Sequence, residues 1–136
     1  MKKRFFVLIL VVFLLIFTAC GPISSSELRD MSAEYLNALM EGDVDTINAL
    51  VRSDTTVTKE VIAQYMKDLE ADGIVLSRPF ELQTQSMSSA AYDSRHGGAH
   101  TTNAYILTCG ENKYNLLVVY EKVAAGEGIS EFILDK

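Results

Sequence analysis

Tyr114-Asn115-Leu116-Leu117-Val118-Val119-Tyr120-Glu121-Lys122-Val123 is the stretch on which the fold turns. Aromatic and β-branched residues dominate it, and turn-forming sequences bound it: Gly110-Glu111-Asn112 before, Ala125-Gly126-Glu127-Gly128 after. Residues 116–119 are apolar at successive positions, so both faces of the segment are apolar. That pattern predicts a strand in the interior of a sheet. Working outward, residues 102–109 and 129–134 read as its hairpin neighbours. Further back, Phe80-Glu81-Leu82-Gln83-Thr84 alternates cleanly, and Ile74-Val75-Leu76 reads as a short extended piece.

Ahead of residue 74 the period changes from two to three and four. Leu28, Met31, Tyr35, Leu36 and Leu39 make one apolar stripe, with Ser24 and Glu27 spaced as a capping box. Gly42 is a natural stop and Asp43 a natural N-cap for a shorter stripe of Val44, Ile47, Leu50 and Val51. Thr58 caps a third stripe, Val61, Ile62, Tyr65, Met66 and Leu69, which Gly73 closes. Helices followed by hairpin strands predict an α+β domain, with N-terminal helices packed on a curved antiparallel sheet of three to five strands.

The first twenty residues have a different texture. Lys2-Lys3-Arg4 precedes an unbroken apolar run over residues 5–17, and Thr18-Ala19-Cys20-Gly21 follows. Thirteen apolar residues suit a signal peptide and fall short of the ~20 that a spanning helix requires. This N-terminus resembles that of bacterial lipoprotein precursors, whose lipobox ends in two small residues and a cysteine, as Thr18-Ala19-Cys20 does. Phe17 stands where the family has an aliphatic residue. The resemblance implies cleavage before Cys20, a diacylglycerol thioether on its thiol, and a protein held by its lipid on the extracytoplasmic side of the cell membrane. Two acyl chains, at ~0.8 kcal/mol per buried methylene, hold a protein where one does not. The expected organisation is a signal peptide over residues 1–19, a lipidated Cys20 and short tether over 20–24, and a single domain over 25–136.

Eighteen acidic residues, all beyond position 20, face only nine of the twelve basic ones there, a net charge near −9 for the mature part. Such a surface repels phosphate backbones, which argues against nucleic acid as a partner. With Cys20 acylated, Cys109 has no internal disulfide partner and reads as a small hydrophobe in its apolar stretch.

The helix Tyr35-Leu36-Asn37-Ala38-Leu39-Met40 running into Glu41-Gly42-Asp43, a short helix ending in Leu50, and the closing hairpins together resemble the nuclear transport factor 2-like superfamily, a cystatin-like α+β fold shared with ketosteroid isomerases. The resemblance spans residues 24–135. It implies a cone whose sheet curls around the first long helix and leaves a pocket between them.

Candidate lining residues for that pocket are Tyr35, Tyr65, Tyr105 and Tyr120, whose hydroxyls can donate to a ligand while the rings pack; Tyr114 is a fifth aromatic of the same kind. The Asp93-Ser94-Arg95-His96-Gly97-Gly98-Ala99-His100 stretch collects both histidines, but Gly97-Gly98 argues against the helix that would put His96 and His100 on one face. A polar hairpin tip is expected there, and neither a metal nor a cofactor. Acid/base chemistry of the isomerase kind requires a carboxylate and a proton donor converging in an apolar pocket. Glu81 and Glu131 alternate with apolar neighbours and so face water, and no catalytic residue is assigned. The expected function is therefore binding of a protein partner or a small apolar ligand beside the bilayer. The two rivals are a small enzyme using pocket Tyr and carboxylate groups, and a structural envelope protein that covers a partner with an exposed apolar patch.

Overall fold

The computed structural model describes residues 23–93 and 98–136, with the backbone alone for 86–93. The signal segment, Cys20, the start of the tether and His96 lie outside the described residues. Three helices, α1 (Ser25–Glu41), α2 (Val44–Leu50) and α3 (Lys59–Ala71), precede four strands, β1 (Phe80–Asp93), β2 (Gly98–Cys109), β3 (Asn112–Val123) and β4 (Gly126–Asp135). The strands form one open antiparallel sheet in the order β1-β2-β3-β4, so β3 is an interior strand. Among the described residues, no helix is long and apolar enough to cross a membrane.

Local chemistry sets the helix ends. The Ser24 side chain accepts from the Glu27 amide at 3.2 Å while the Glu27 carboxylate accepts from the Ser24 amide at 3.1 Å, completing the capping box. Gly42 ends α1 in the left-handed region at φ 66, which a side chain would resist, and Asp43 then caps α2 through the Thr46 amide. Thr58 caps α3 through the Val61 amide.

One face of the sheet carries the core. Tyr105, Leu107 and Cys109 of β2, Tyr114, Leu116 and Val118 of β3, and Ile129 and Leu134 of β4 are buried beneath the helices, with Leu28 and Leu36 of α1 seated on them. A Leu taken wholly out of water, as Leu28 is, contributes about 2 kcal/mol. A second cluster, Ala38, Leu39, Ile47, Val51 and Ile62, joins the three helices to one another.

α1 begins over the β1/β2 hairpin end and finishes at the opposite end of the sheet. At its start, Thr101 Oγ1 donates to the Ile23 carbonyl at 3.0 Å and Asn103 Nδ2 to that of Ser25 at 3.2 Å. At its finish, Arg78, just ahead of β1, donates to Asn37 Oδ1 at 2.9 Å and to Glu41 at 2.7 Å, placing a cation beside the helix C-terminus.

The register shifts twice, between Thr84 and Ser88 of β1 and between Val119 and Tyr120 of β3, where Ser130 of β4 is left over. Such irregularities bend strands and sharpen their twist. At the second, Gly128 passes the chain that leaves α2. Val51 makes a parallel bridge to Ile129, and the Arg52 and Ser53 amides donate to the Ile129 and Glu127 carbonyls at 2.9 and 3.0 Å. Residues 51–53 thereby cover one end of the β4 edge.

Three readings of the sequence are corrected. Ile74-Val75-Leu76 is not a strand: Ile74 is buried, and the Val75 amide donates to the Tyr114 hydroxyl at 3.1 Å instead of joining a ladder. β1 does not stop at Thr84 but continues to Asp93, and β2 starts at Gly98 instead of Thr102, so His100 lies in a strand. Residues 86–91, three serines, a methionine and two alanines, have weak strand preference, and pairing of Ser88 onward with β2 overrides it. Val61 does not join the buried face of α3 but is 57% exposed.

Candidate functional site

An apolar concavity lies between α1, α3 and β4, lined by Tyr35, Leu39, Val57, Val61, Ile62, Tyr65 and Phe132, with a volume of about 170 Å³. Each wall has a traceable origin. Tyr35 and Leu39 are one helical turn apart on α1 and so share a face. Val61, Ile62 and Tyr65 sit likewise on the first turns of α3. Phe132 leans from β4 and stacks on Tyr35, ring centroids 4.1 Å apart with 27° between the planes. Val57 is held in place by Asn48, whose amide donates to the Val57 carbonyl at 2.9 Å and accepts from its N–H at 2.7 Å. Side chain thus imitates a strand partner, and the loop before α3 is fixed against α2.

Electrostatically the groove is neutral. No charged side chain lines it. Burial pushes the Tyr35 hydroxyl above its ordinary pKa, and burial followed by the proximity of Tyr35 pushes Tyr65 up to about 12. Both phenols keep their protons throughout the physiological range, and the Tyr65 hydroxyl donates a long bond of 3.4 Å to the Phe132 carbonyl. The groove offers an aromatic floor, aliphatic walls and hydroxyl donors, which suits an uncharged apolar group.

Of the four tyrosines singled out in the sequence, Tyr35 and Tyr65 meet in this groove, whereas Tyr105 and Tyr120 do not. Tyr105 is wholly buried under the start of α1, where Asn103 Nδ2 donates to its oxygen at 2.8 Å. Beside it the buried Ser32 hydroxyl donates to the Leu28 carbonyl at 2.6 Å, and Asn103 Nδ2 also bonds Ser25 Oγ at 3.0 Å. This chain of bonds ties β2 to α1 through polar groups inside the core; Asn103 Oδ1 is buried with no partner among the described residues. Tyr120 donates to the Glu127 carboxylate at 2.6 Å, which together with burial raises its pKa. That is a phenol–carboxylate pair, but Glu127 is exposed in the β3/β4 hairpin and lies 3.9 Å from Lys122, outside the groove.

A second, more open concavity of about 420 Å³ between α1 and β1 is lined by Arg29, Asp30, Ala33, Phe80, Glu81 and Leu82. Its mixed charges and shallow walls do not enclose a ligand. Among the described residues, no group of three or more His, Cys, Asp or Glu side chains converges as a metal would need.

Sequence reasoning missed Phe132 and the Asn48–Val57 lock. The alternation that exposes inward residues of β4 is broken at Ser130, so Phe132 falls out of phase. Asn48 carries no local signal, because its partner is nine positions away.

No protein family model, no curated protein and no solved structure matches this chain. The site itself carries the functional argument.

Proposed function

We propose that this protein is a membrane-anchored extracytoplasmic lipoprotein, held through diacylglycerol on Cys20. Its nuclear transport factor 2-like domain binds a small apolar ligand, or an apolar side chain of a partner, in the groove between α1, α3 and β4. The anchoring half rests on Lys2-Lys3-Arg4, the apolar run and Thr18-Ala19-Cys20. The binding half rests on one observation, the aromatic-floored groove free of charge. Its volume of about 170 Å³ is close to the ~150 Å³ of apolar cavities that take up a benzene-sized guest. The three helices on one face of a twisted antiparallel sheet support the cone assignment.

Binding, as opposed to turnover, is the reading the side chains favour. Catalysis of proton transfer needs an ionisable group poised within reach of substrate, and the groove holds only phenols whose protons are retained. The test is a titration of the isotopically labelled mature domain with indole or a short aliphatic alcohol, followed by amide chemical shifts. Saturable shifts confined to Val57, Val61, Tyr65 and Phe132 are expected; scattered or absent shifts sink the reading. For the anchor, Cys20→Ser moves the protein out of the membrane fraction or leaves the precursor uncut, and unchanged size and fractionation refute it.

A further inference from the structure

We propose that the face of the sheet turned away from the helices is a second docking surface, and that its occupant is an amphipathic helix of a partner protein whose apolar stripe is bordered by Lys and Arg. The surface is separate from the groove between α1, α3 and β4 and does not depend on it.

Three observations carry it. First, the pleat sets apolar side chains on that face. Tyr105, Leu107, Leu116, Val118 and Leu134 are buried under the helices, so the residues alternating with them stand on the other side. Register then aligns these across the strands: Ala104 pairs with Leu117 and Leu117 with Ile133, while Thr102 pairs with Val119. Ile106 extends the strip along β2. None of Ala104, Ile106, Leu117, Val119 and Ile133 belongs to either apolar cluster of the core, and Ile133 is 50% exposed. A contiguous apolar strip on a surface marks a site of interaction.

Second, the strip has the dimensions of a helix. β2, β3 and β4 are consecutive neighbours, so the distance from Ala104 to Ile133 is about 10 Å, near the diameter of a helix with its side chains. Along the strand, residues 102–106 run for roughly 15 Å, close to three helical turns. The opposite face of the same sheet seats α1 on rows of this kind.

Third, the borders are acidic. Glu131 and Asp135 lie on β4 two residues to either side of Ile133, and Glu81 pairs with Thr108 on the β1 side; all three are exposed. Lys113 stands at one end of the face, and Arg52 is committed to Asp54 and Glu121 at 2.6 Å. Lys and Arg flanking an apolar stripe complement these carboxylates, whereas an anionic bilayer is repelled by them. A second copy is opposed for the same reason. Stacked face to face about a two-fold axis with strands aligned, two such sheets set β4 on the copy's β4 or on its β1, and carboxylates meet carboxylates either way.

The experiment uses the whole protein, isotopically labelled and held in phosphatidylcholine nanodiscs. It is titrated with a synthetic Leu/Lys amphipathic helix of about 18 residues and followed by amide chemical shifts. The same helix with Glu in place of Lys is the control. Expected are saturable shifts at Ala104, Leu117, Val119 and Ile133 with the Lys helix and none with the Glu helix. Glu131→Lys combined with Asp135→Lys should weaken binding about tenfold. Ile133→Thr, which keeps a β-branched residue in the strand, should weaken it several-fold at an unchanged urea midpoint. Equal response to both helices, shifts centred on Val61 and Tyr65, or binding untouched by these substitutions overturns the proposal. Shifts of the same four residues produced by phosphatidylglycerol nanodiscs alone, or by raising the protein concentration, assign the face to lipid or to a second copy and overturn it equally.

Discussion

The ring of Phe132 stacks on that of Tyr35 at 4.1 Å, joining β4 to α1 and flooring the apolar groove between α1, α3 and β4. Because the pair serves both packing and the groove, Phe132→Ala is expected to do two things. Losing a half-buried aromatic ring should lower stability by about 2–3 kcal/mol, read as a fall in the urea midpoint at unchanged slope. It should also abolish saturable binding of indole. Full retention of binding would remove Phe132 from the site.

Val61 separates binding from folding. It lines the groove while being 57% exposed, and it stands three residues after the Thr58 N-cap. Glu at that position can complete a capping box, so Val61→Glu should leave stability unchanged or raise it by a few tenths of ~1 kcal/mol. The same change puts a carboxylate at the rim of an uncharged groove, and binding of the apolar probe should be lost. A variant that folds and binds normally contradicts the assignment of the groove.

Stability should depend on alkaline pH through Tyr65. Its pKa is about 12 in the folded protein and near 10 when the chain is unfolded. The folded state therefore holds the proton more tightly. The associated stability is complete below about pH 10 and is lost as pH climbs towards about 12, since the unfolded chain ionises first. Urea midpoints measured across that interval should fall, and Tyr65→Phe should fall less steeply. Identical slopes would place the alkaline sensitivity elsewhere.

Two glycines with positive φ should respond differently. Gly128, at φ 143, passes so close to the Val51 carbonyl that an added Cβ would run into it; Gly110, at φ 61, has open space around it. Gly128→Ala combines strain with a clash and should cost about 2–3 kcal/mol, whereas Gly110→Ala should cost about 1 kcal/mol for strain alone. Thermal melts of the two variants check the order. Equal costs would mean that residues 51–53 do not press on β4.

The polar chain through the core gives the last comparison. Tyr105→Phe strips the buried Asn103 amide of one acceptor and should destabilise by about 1–3 kcal/mol. Tyr114→Phe, which frees only the Val75 amide in a loop at the surface, should cost less. Chemical denaturation of both variants decides between them.

What the chain determined by itself is what lies within four residues of a given position. The caps at Ser24, Asp43 and Thr58, the stop at Gly42, and the apolar stripes of the helices are short-range events, so composition and spacing exposed them. The interior place of β3 was legible for a similar reason, as apolar residues on both faces leave a strand no edge to occupy. Tertiary structure alone decided the rest. Residues 86–93 extend because β2 offers a ladder, and not through any preference of Ser, Met or Ala. The groove exists because Tyr35, Val57, Tyr65 and Phe132, spread over 97 positions between first and last, meet only once α1, α3 and β4 have packed. Contacts of that separation depend on how whole elements are oriented, which no local pattern encodes, and the same holds for the pinning of Ile23 by Thr101.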